Sequence, residues 1–99
     1  PLNNAYHHAV VIPPNARLCY VAGQVGMRAD GSTPESLEEQ AEQAWRNVMA
    51  CVEAAGMSAQ NVVKINAYLV DAADYPAFAA ARTKYLGDAR PASTAILIK

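Results

Sequence analysis

Residues 34–55, PESLEEQAEQAWRNVMACVEAA, decide how this 99-residue chain is read. Leu37, Ala41, Ala44, Trp45, Val48, Val52 and Ala55 recur at spacings of three and four, which places them on one face of a helix. Two starts fit. Thr33 caps the helix with Pro34 at its first position, or Ser36 and Glu39 form a capping box. Glu35, Glu38 and Glu39 crowd the first turns, where the helix dipole favours negative charge. Gly56 supplies a left-handed stop.

Outward from this helix the pattern changes period. Residues 62–70, VVKINAYLV, alternate: Val63, Ile65, Ala67 and Leu69 point one way, Lys64, Asn66 and Tyr68 the other. That is a strand with one apolar face. A second helix is expected over about 75–86, with Pro76 near its start, Gly87 at its end and an inner stripe of Phe78, Ala81, Arg82 and Tyr85. Residues 93–98 read as a last strand. Upstream, 5–12 and 17–22 are short apolar runs separated by Pro13-Pro14-Asn15, which favours a turn, and they read as a strand hairpin. The order β-β-α-β-α-β suits an α+β or α/β two-layer domain with both helices on one face of a sheet. A neighbouring subunit would cover the other face.

The chain is expected to be a single domain over 1–99, since its length allows no more. Both ends read as cut: it starts at Pro1 and stops at Lys99, inside what reads as a strand. Hydrophobic residues make up 53%, but 21 residues are alanine and bury little area each, so association is a fair expectation for a domain this small. Net charge is −1, and the five arginines and three lysines are scattered, which argues against nucleic acid as a partner. No apolar run approaches a membrane span and no signal-peptide pattern occurs. Cys19 and Cys51 form no CxxC pair and read as reduced core thiols of a cytoplasmic protein.

Several motifs, taken together, resemble one family. Val21-Ala22-Gly23-Gln24 is similar to a "vSGQ" segment. Residues 39–56, EQAEQAWRNVMACVEAAG, are similar to that family's central helix, with Gln40, Asn47 and the closing AAG. Val62-Val63-Lys64 and Tyr68-Leu69-Val70-Asp71 match the strand after it, Asp74-Tyr75 the start of the second helix, and Pro91-Ala92 a "PAR" motif. The family is Rid, the reactive-intermediate deaminases or YjgF-like proteins, and the resemblance runs from about residue 6 to 98. It implies an α+β, chorismate-mutase-like fold with two helices on one face of a mixed sheet. It also implies a homotrimer with a central barrel and ligand clefts between subunits. The implied chemistry is cofactor-free hydrolysis of enamines and imines, releasing ammonia. Older descriptions of the family speak of endoribonuclease activity.

The departures bear on that chemistry. The family's deaminases hold the substrate carboxylate with an arginine directly after Pro-Ala, a task suited to a bidentate guanidinium. Here that residue is Ser93. Ala22 stands where the family often has serine, Ala79 where it has asparagine and Ala95 where it has cysteine. The position of a C-terminal glutamate would fall beyond Lys99. Tyr6 matches the first-strand tyrosine. Tyr6, Ala22, Gly23, Ser93 and Ala95 are therefore the residues expected to line the cleft. Arg90 lies an odd number of positions before Ser93, so alternation turns it to the opposite face.

Other chemistry has a plainer reading. Pro1 could be the base of a tautomerase, but Asn3-Asn4 replace the apolar strand that would bury it. His7 and His8 are adjacent and face opposite sides of a strand, so no metal site is expected. Lys64 reads as an exposed or ion-paired strand lysine, and Glu38, Glu39 and Glu42 as a solvated helix face. Neither cysteine lies at a helix N-terminus, where a thiolate is favoured. No Walker, GxGxxG or GxSxG pattern occurs.

The expectation is a homotrimer that binds a small, neutral or weakly polar metabolite in inter-subunit clefts, needs no cofactor or metal, and has weak or no family-type imine deaminase activity. The alternative is a true enamine or imine deaminase that uses another cation, with Arg17, Arg28 or a partner's arginine as candidates. A non-catalytic interaction or chaperone-like subunit, with its cleft closed by side chains, is the third reading.

Overall fold

The computed structural model describes residues 6–99. Its regular elements are α1 (Leu37–Ala54), β1 (Lys64–Leu69), α2 (Tyr75–Leu86) and β2 (Ala92–Leu97), with single 3-10 turns at Ala59–Asn61 and Ala72–Asp74. Of the two starts open to α1, the structure takes Ser36, whose side chain accepts from the Glu39 amide at 3.2 Å. Pro34 stays outside the helix and buried. Gln40 Nε2 donates to its carbonyl at 2.8 Å and holds that segment against the first turn. The helix stops as expected: Gly56 has φ +75, and the Met57 amide returns to the Val52 carbonyl.

β1 and β2 are parallel, with Ile65 beside Ser93 and Ala67 beside Ala95. Parallel neighbours need a crossover, and α2 provides it. Alternation along β1 holds: Ile65, Ala67 and Leu69 are shielded, whereas Lys64, Asn66 and Tyr68 are exposed. The core lies between the two helices and this sheet. Trp45, Ala81, Leu86 and Ala89 form its buried centre, with Ala41, Val48, Ile65, Phe78 and Tyr85 packed around them. The Trp45 and Phe78 rings stack at 6.2 Å and join α1 to α2.

Three expectations are corrected. The hairpin over 5–12 and 17–22 is not formed by the described residues. Its turn exists, with the Ala16 amide bonded to the Pro13 carbonyl at 3.2 Å, but among the described residues the only pairing in these segments is a parallel bridge from His7 to Ala92. Strand pairs are held by side chains packed across a ladder and onto a neighbouring layer. Here Val11 is 94% and Tyr20 89% exposed, with no such layer beneath them. The sheet is accordingly two-stranded and parallel rather than mixed among the described residues. Both cysteines are exposed, not core. Cys51 falls beside the Val48–Val52 stripe of α1 rather than on it, so the helix turns it outward. Pro1, Asn3 and Asn4, weighed above for tautomerase chemistry, lie outside the described residues.

Candidate functional site

Ser93 sits on β2 directly beside Ile65, on the sheet face that looks toward the helices. What meets it there is Arg82. The guanidinium Nη1 donates to Ser93 Oγ, and Nη2 donates to the Tyr75 hydroxyl, each at 3.4 Å. Tyr75, Phe78 and Arg82 fall at spacings of three, four and seven on α2, so they share one helix face. The guanidinium carbon lies 5.3 Å from the Phe78 ring centre and 5.9 Å from that of Tyr75, within cation–π range. Arg82 is only 5% exposed, and its Nε is buried with no hydrogen-bond partner. Among the described residues it forms no salt bridge with a carboxylate.

The other expected cleft residues divide. The first segment runs alongside the start of β2, where His7 N donates to the Pro91 carbonyl at 3.1 Å and His7 bridges Ala92. This brings half-buried Tyr6, its ring 5.9 Å from that of His8, to the same end of β2 as Ser93. Ala95 pairs with Ala67 two residues further on and is exposed. Gly23 lies elsewhere. It lines a shallow hollow between loop residues such as Val25 and Met27 and the α1 residues Gln43, Arg46 and Asn47, a hollow that Tyr6, Ser93 and Ala95 do not line. Ala22 is exposed beside it, and its carbonyl accepts from Gln24 Nε2. The structure thus places Tyr6 and Ser93 at one end of β2 and sets Ala22 and Gly23 apart within one subunit.

The cations weighed from sequence are engaged otherwise or lie elsewhere. Arg17 is exposed, with its guanidinium beside Gly56 at the end of α1. Arg28 bonds Ser32 Oγ at 3.0 Å and approaches Glu39 at 3.8 Å. Arg90 donates to the Gly87 and Ala89 carbonyls at the end of α2. Lys64 is exposed and donates to Thr94 Oγ1 at 2.9 Å, on the outer sheet face. Glu42 is more than part of a solvated face: it joins α1 to α2 through Lys84 at 2.6 Å and the Tyr85 hydroxyl at 3.0 Å. Those two hydrogen bonds hold its carboxyl below the usual glutamate range, and the same contact raises Lys84. Arg82 itself was expected on the inner stripe of α2 but was not weighed as a cation. The signal was its position: a lone arginine in a stripe otherwise made of Phe78, Ala81 and Tyr85.

Comparison with known proteins follows the same outline. The family model for endoribonuclease L-PSP matches residues 2–99. Protein HMF1 of Saccharomyces cerevisiae is 28% identical over 95% of this chain and 71% of its own length. A RutC family protein of Pyrococcus horikoshii is 32% identical over 78% of this chain and 63% of its own. The 2-iminobutanoate/2-iminopropanoate deaminase of Rattus norvegicus is 37% identical over 72% of this chain, which spans 51% of that protein. Among solved structures, the Rid protein YyfB of Yersinia pestis superposes with a TM-score of 0.82 at 27% identity, over 97% of this chain and 75% of that one. RidA from a Psychrobacter species gives 0.76 at 26% identity, over 96% and 81%. These matches agree with the two helices and small sheet described above, and the chain belongs to the endoribonuclease L-PSP family, the Rid family of RidA and YjgF proteins.

Proposed function

We propose that the chain assembles as a homotrimer and binds a small metabolite beside Ser93, in clefts closed by neighbouring subunits, with weak or no family-type imine deaminase activity. The observation that carries this reading is Ser93 itself. Where the resemblance calls for a guanidinium, the strand presents a neutral hydroxyl, with exposed Ala95 two residues on. A carboxylate set against alanine gives up water without a partner in return. Exposed Leu18, Tyr20, Tyr68, Val70, Ile96, Leu97 and Ile98 supply apolar surface for the association.

The reaction at issue is that named for the rat relative. Water adds to the C=N carbon of a 2-imino acid, its oxygen becomes the carbonyl oxygen of the 2-oxo acid, and the nitrogen leaves as ammonia. A second reading, hydrolysis with a different carboxylate-binding cation, is favoured by one contact: Arg82 stands directly behind Ser93. The test of the assembly is multi-angle light scattering at micromolar concentration, where a mass three times that of the 10.5 kDa chain is expected. The test of the cleft is an amide NMR titration with pyruvamide, an uncharged analogue of the product of 2-iminopropanoate hydrolysis, in which shifts should cluster at Tyr6 and Ser93. A stable monomer, or shifts confined to residues remote from β2, would contradict the reading.

A further inference from the structure

A buried guanidinium without a counter-ion is an unusual thing to keep. Removing a cation from water is costly unless it is paired and fully hydrogen-bonded. Arg82 is 5% exposed, its Nε has no partner, and its two terminal nitrogens reach only neutral hydroxyls at 3.4 Å each. Two aromatic faces offset part of the charge, but no carboxylate among the described residues forms a salt bridge with it.

The two hydroxyls supply the direction. A guanidinium only donates, so Ser93 Oγ and Tyr75 Oη are both acceptors toward Arg82. Each hydroxyl therefore keeps its own proton to give to something else. Tyr75 is 40% exposed and Ser93 half-buried, whereas Arg82 is 5% exposed. Bonds in series polarise one another, and a hydroxyl that accepts from a cation is a stronger donor.

We propose that Arg82, Ser93 and Tyr75 form a relay for a small carboxylate: the two hydroxyls donate to it, and the buried guanidinium makes them better donors from behind. This rests on the reading that a small metabolite binds beside Ser93, and it adds how this chain's own residues would hold a monoanion there, in place of the neutral or weakly polar ligand expected from the sequence. Arg82 is a positioning residue here, since it acts through Ser93 and Tyr75 and not on the ligand directly. The relay differs from a guanidinium placed on the strand after Pro-Ala, because the ligand meets neutral donors and the charge stays covered.

The test compares the affinity of the chain for pyruvate with that for pyruvamide, which has the same shape and no carboxylate, by NMR titration. The unmodified protein should prefer pyruvate by roughly 30- to 150-fold, the margin expected when two hydrogen bonds go to a charged rather than a neutral acceptor. Arg82→Met should remove most of that preference, lowering pyruvate affinity far more than pyruvamide affinity, and Arg82→Lys should restore part of it. Arg82→Met could damage folding, so Ser93→Ala and Tyr75→Phe, which each delete one oxygen, serve as independent probes. Each should lower pyruvate affinity more than pyruvamide affinity. Equal binding of the two probes by the unmodified protein, or an unchanged preference in Ser93→Ala and Tyr75→Phe, would overturn the relay and leave the binding reading standing. Binding of neither probe would overturn the binding reading, and the relay with it.

Discussion

Gly26→Ala is the substitution for which the structure gives the most definite arithmetic. A Cβ built on Gly26 would stand 2.5 Å from the Gln40 carbonyl oxygen, 2.8 Å from its Cα and 3.0 Å from its carbonyl carbon. All three are backbone atoms inside α1, fixed by the helix, so the loop must be the part that moves. The loop is held at that point by Asn47, whose Nδ2 donates to the Val25 carbonyl at 3.0 Å and the Met27 carbonyl at 2.9 Å, on either side of Gly26. Gln43 Nε2 donates to Asn47 Oδ1 at 2.9 Å and fixes which way that amide faces. A shift that clears the methyl lengthens both Asn47 bonds. Two hydrogen bonds at roughly 0.5–1.5 kcal/mol each give a loss of about 1–3 kcal/mol. Overpacking a tight contact costs about the same, roughly 1–3 kcal/mol, and is the alternative if the loop stays in place. The expected value is therefore about 2 kcal/mol, or a fall in Tm of roughly 8–16 °C for a domain of this size. Urea unfolding at one fixed protein concentration measures it, since association also adds stability. Asn47→Ala supplies a second constraint. If Gly26→Ala has already broken the Asn47 bonds, the double variant should be hardly less stable than Gly26→Ala alone. A Gly26→Ala protein within about 0.5 kcal/mol of the parent, below the overpacking range, would refute the close approach of loop to helix.

Other outcomes follow from the same packing. Ile65→Asp should destabilise the chain by several kcal/mol, because it removes an apolar contact with the core cluster and puts a carboxylate there; an unchanged urea midpoint would count against the core assignment. Trp45 is 6% exposed, so its native fluorescence should lie well to the blue of indole in water and move red on unfolding. Glu42, with its pKa depressed by Lys84 and Tyr85, contributes stability that is present above the unfolded glutamate value of about 4.3 and is lost as pH falls through the lower folded value. Lys84, with its pKa raised, contributes below its unfolded value and loses this as pH rises through the folded one. Glu42→Gln should flatten the acid limb of the stability–pH curve, and an acid limb identical to the parent's would show that Glu42 is not its source.

How much of this was legible in the sequence depended on whether the signal was local. α1 and β1 each bury one face, and a helical or alternating period records that face directly; the α2 bounds of Tyr75–Leu86 match the expectation. β2 forms where a strand was expected but is exposed from Thr94 onward, so it is marked by its pairing with β1 and not by a buried face. Residues 6–25 carry the apolar content of strands but no packing layer within a single subunit, and in the structure they pair only through His7. Content without a partner surface does not specify a ladder. For the site, the family resemblance singled out Ser93 and Tyr6, which the structure places at one end of β2. Arg82 was missed because its role depends on β2 passing over α2, a contact between residues eleven apart that no period encodes. Arg17 and Arg28 were weighed only because they are charged, a weaker criterion than being charged within an apolar stripe.

The central claim, that a serine after Pro-Ala leaves imine hydrolysis weak, is tested most directly by kcat/KM for ammonia release from enzymatically generated 2-iminopropanoate, set beside a family member with arginine at that position. An arginine gives two charge-assisted bonds of about 1.5–3 kcal/mol each, and the Ser93 hydroxyl gives one neutral bond of about 0.5–1.5 kcal/mol. The difference of roughly 2–4 kcal/mol predicts a rate about 30 to 1,000 times lower for this chain. Strengthening of Ser93 by Arg82 would place the result toward the smaller end of that range. A rate equal to that of the arginine-bearing protein would contradict the account.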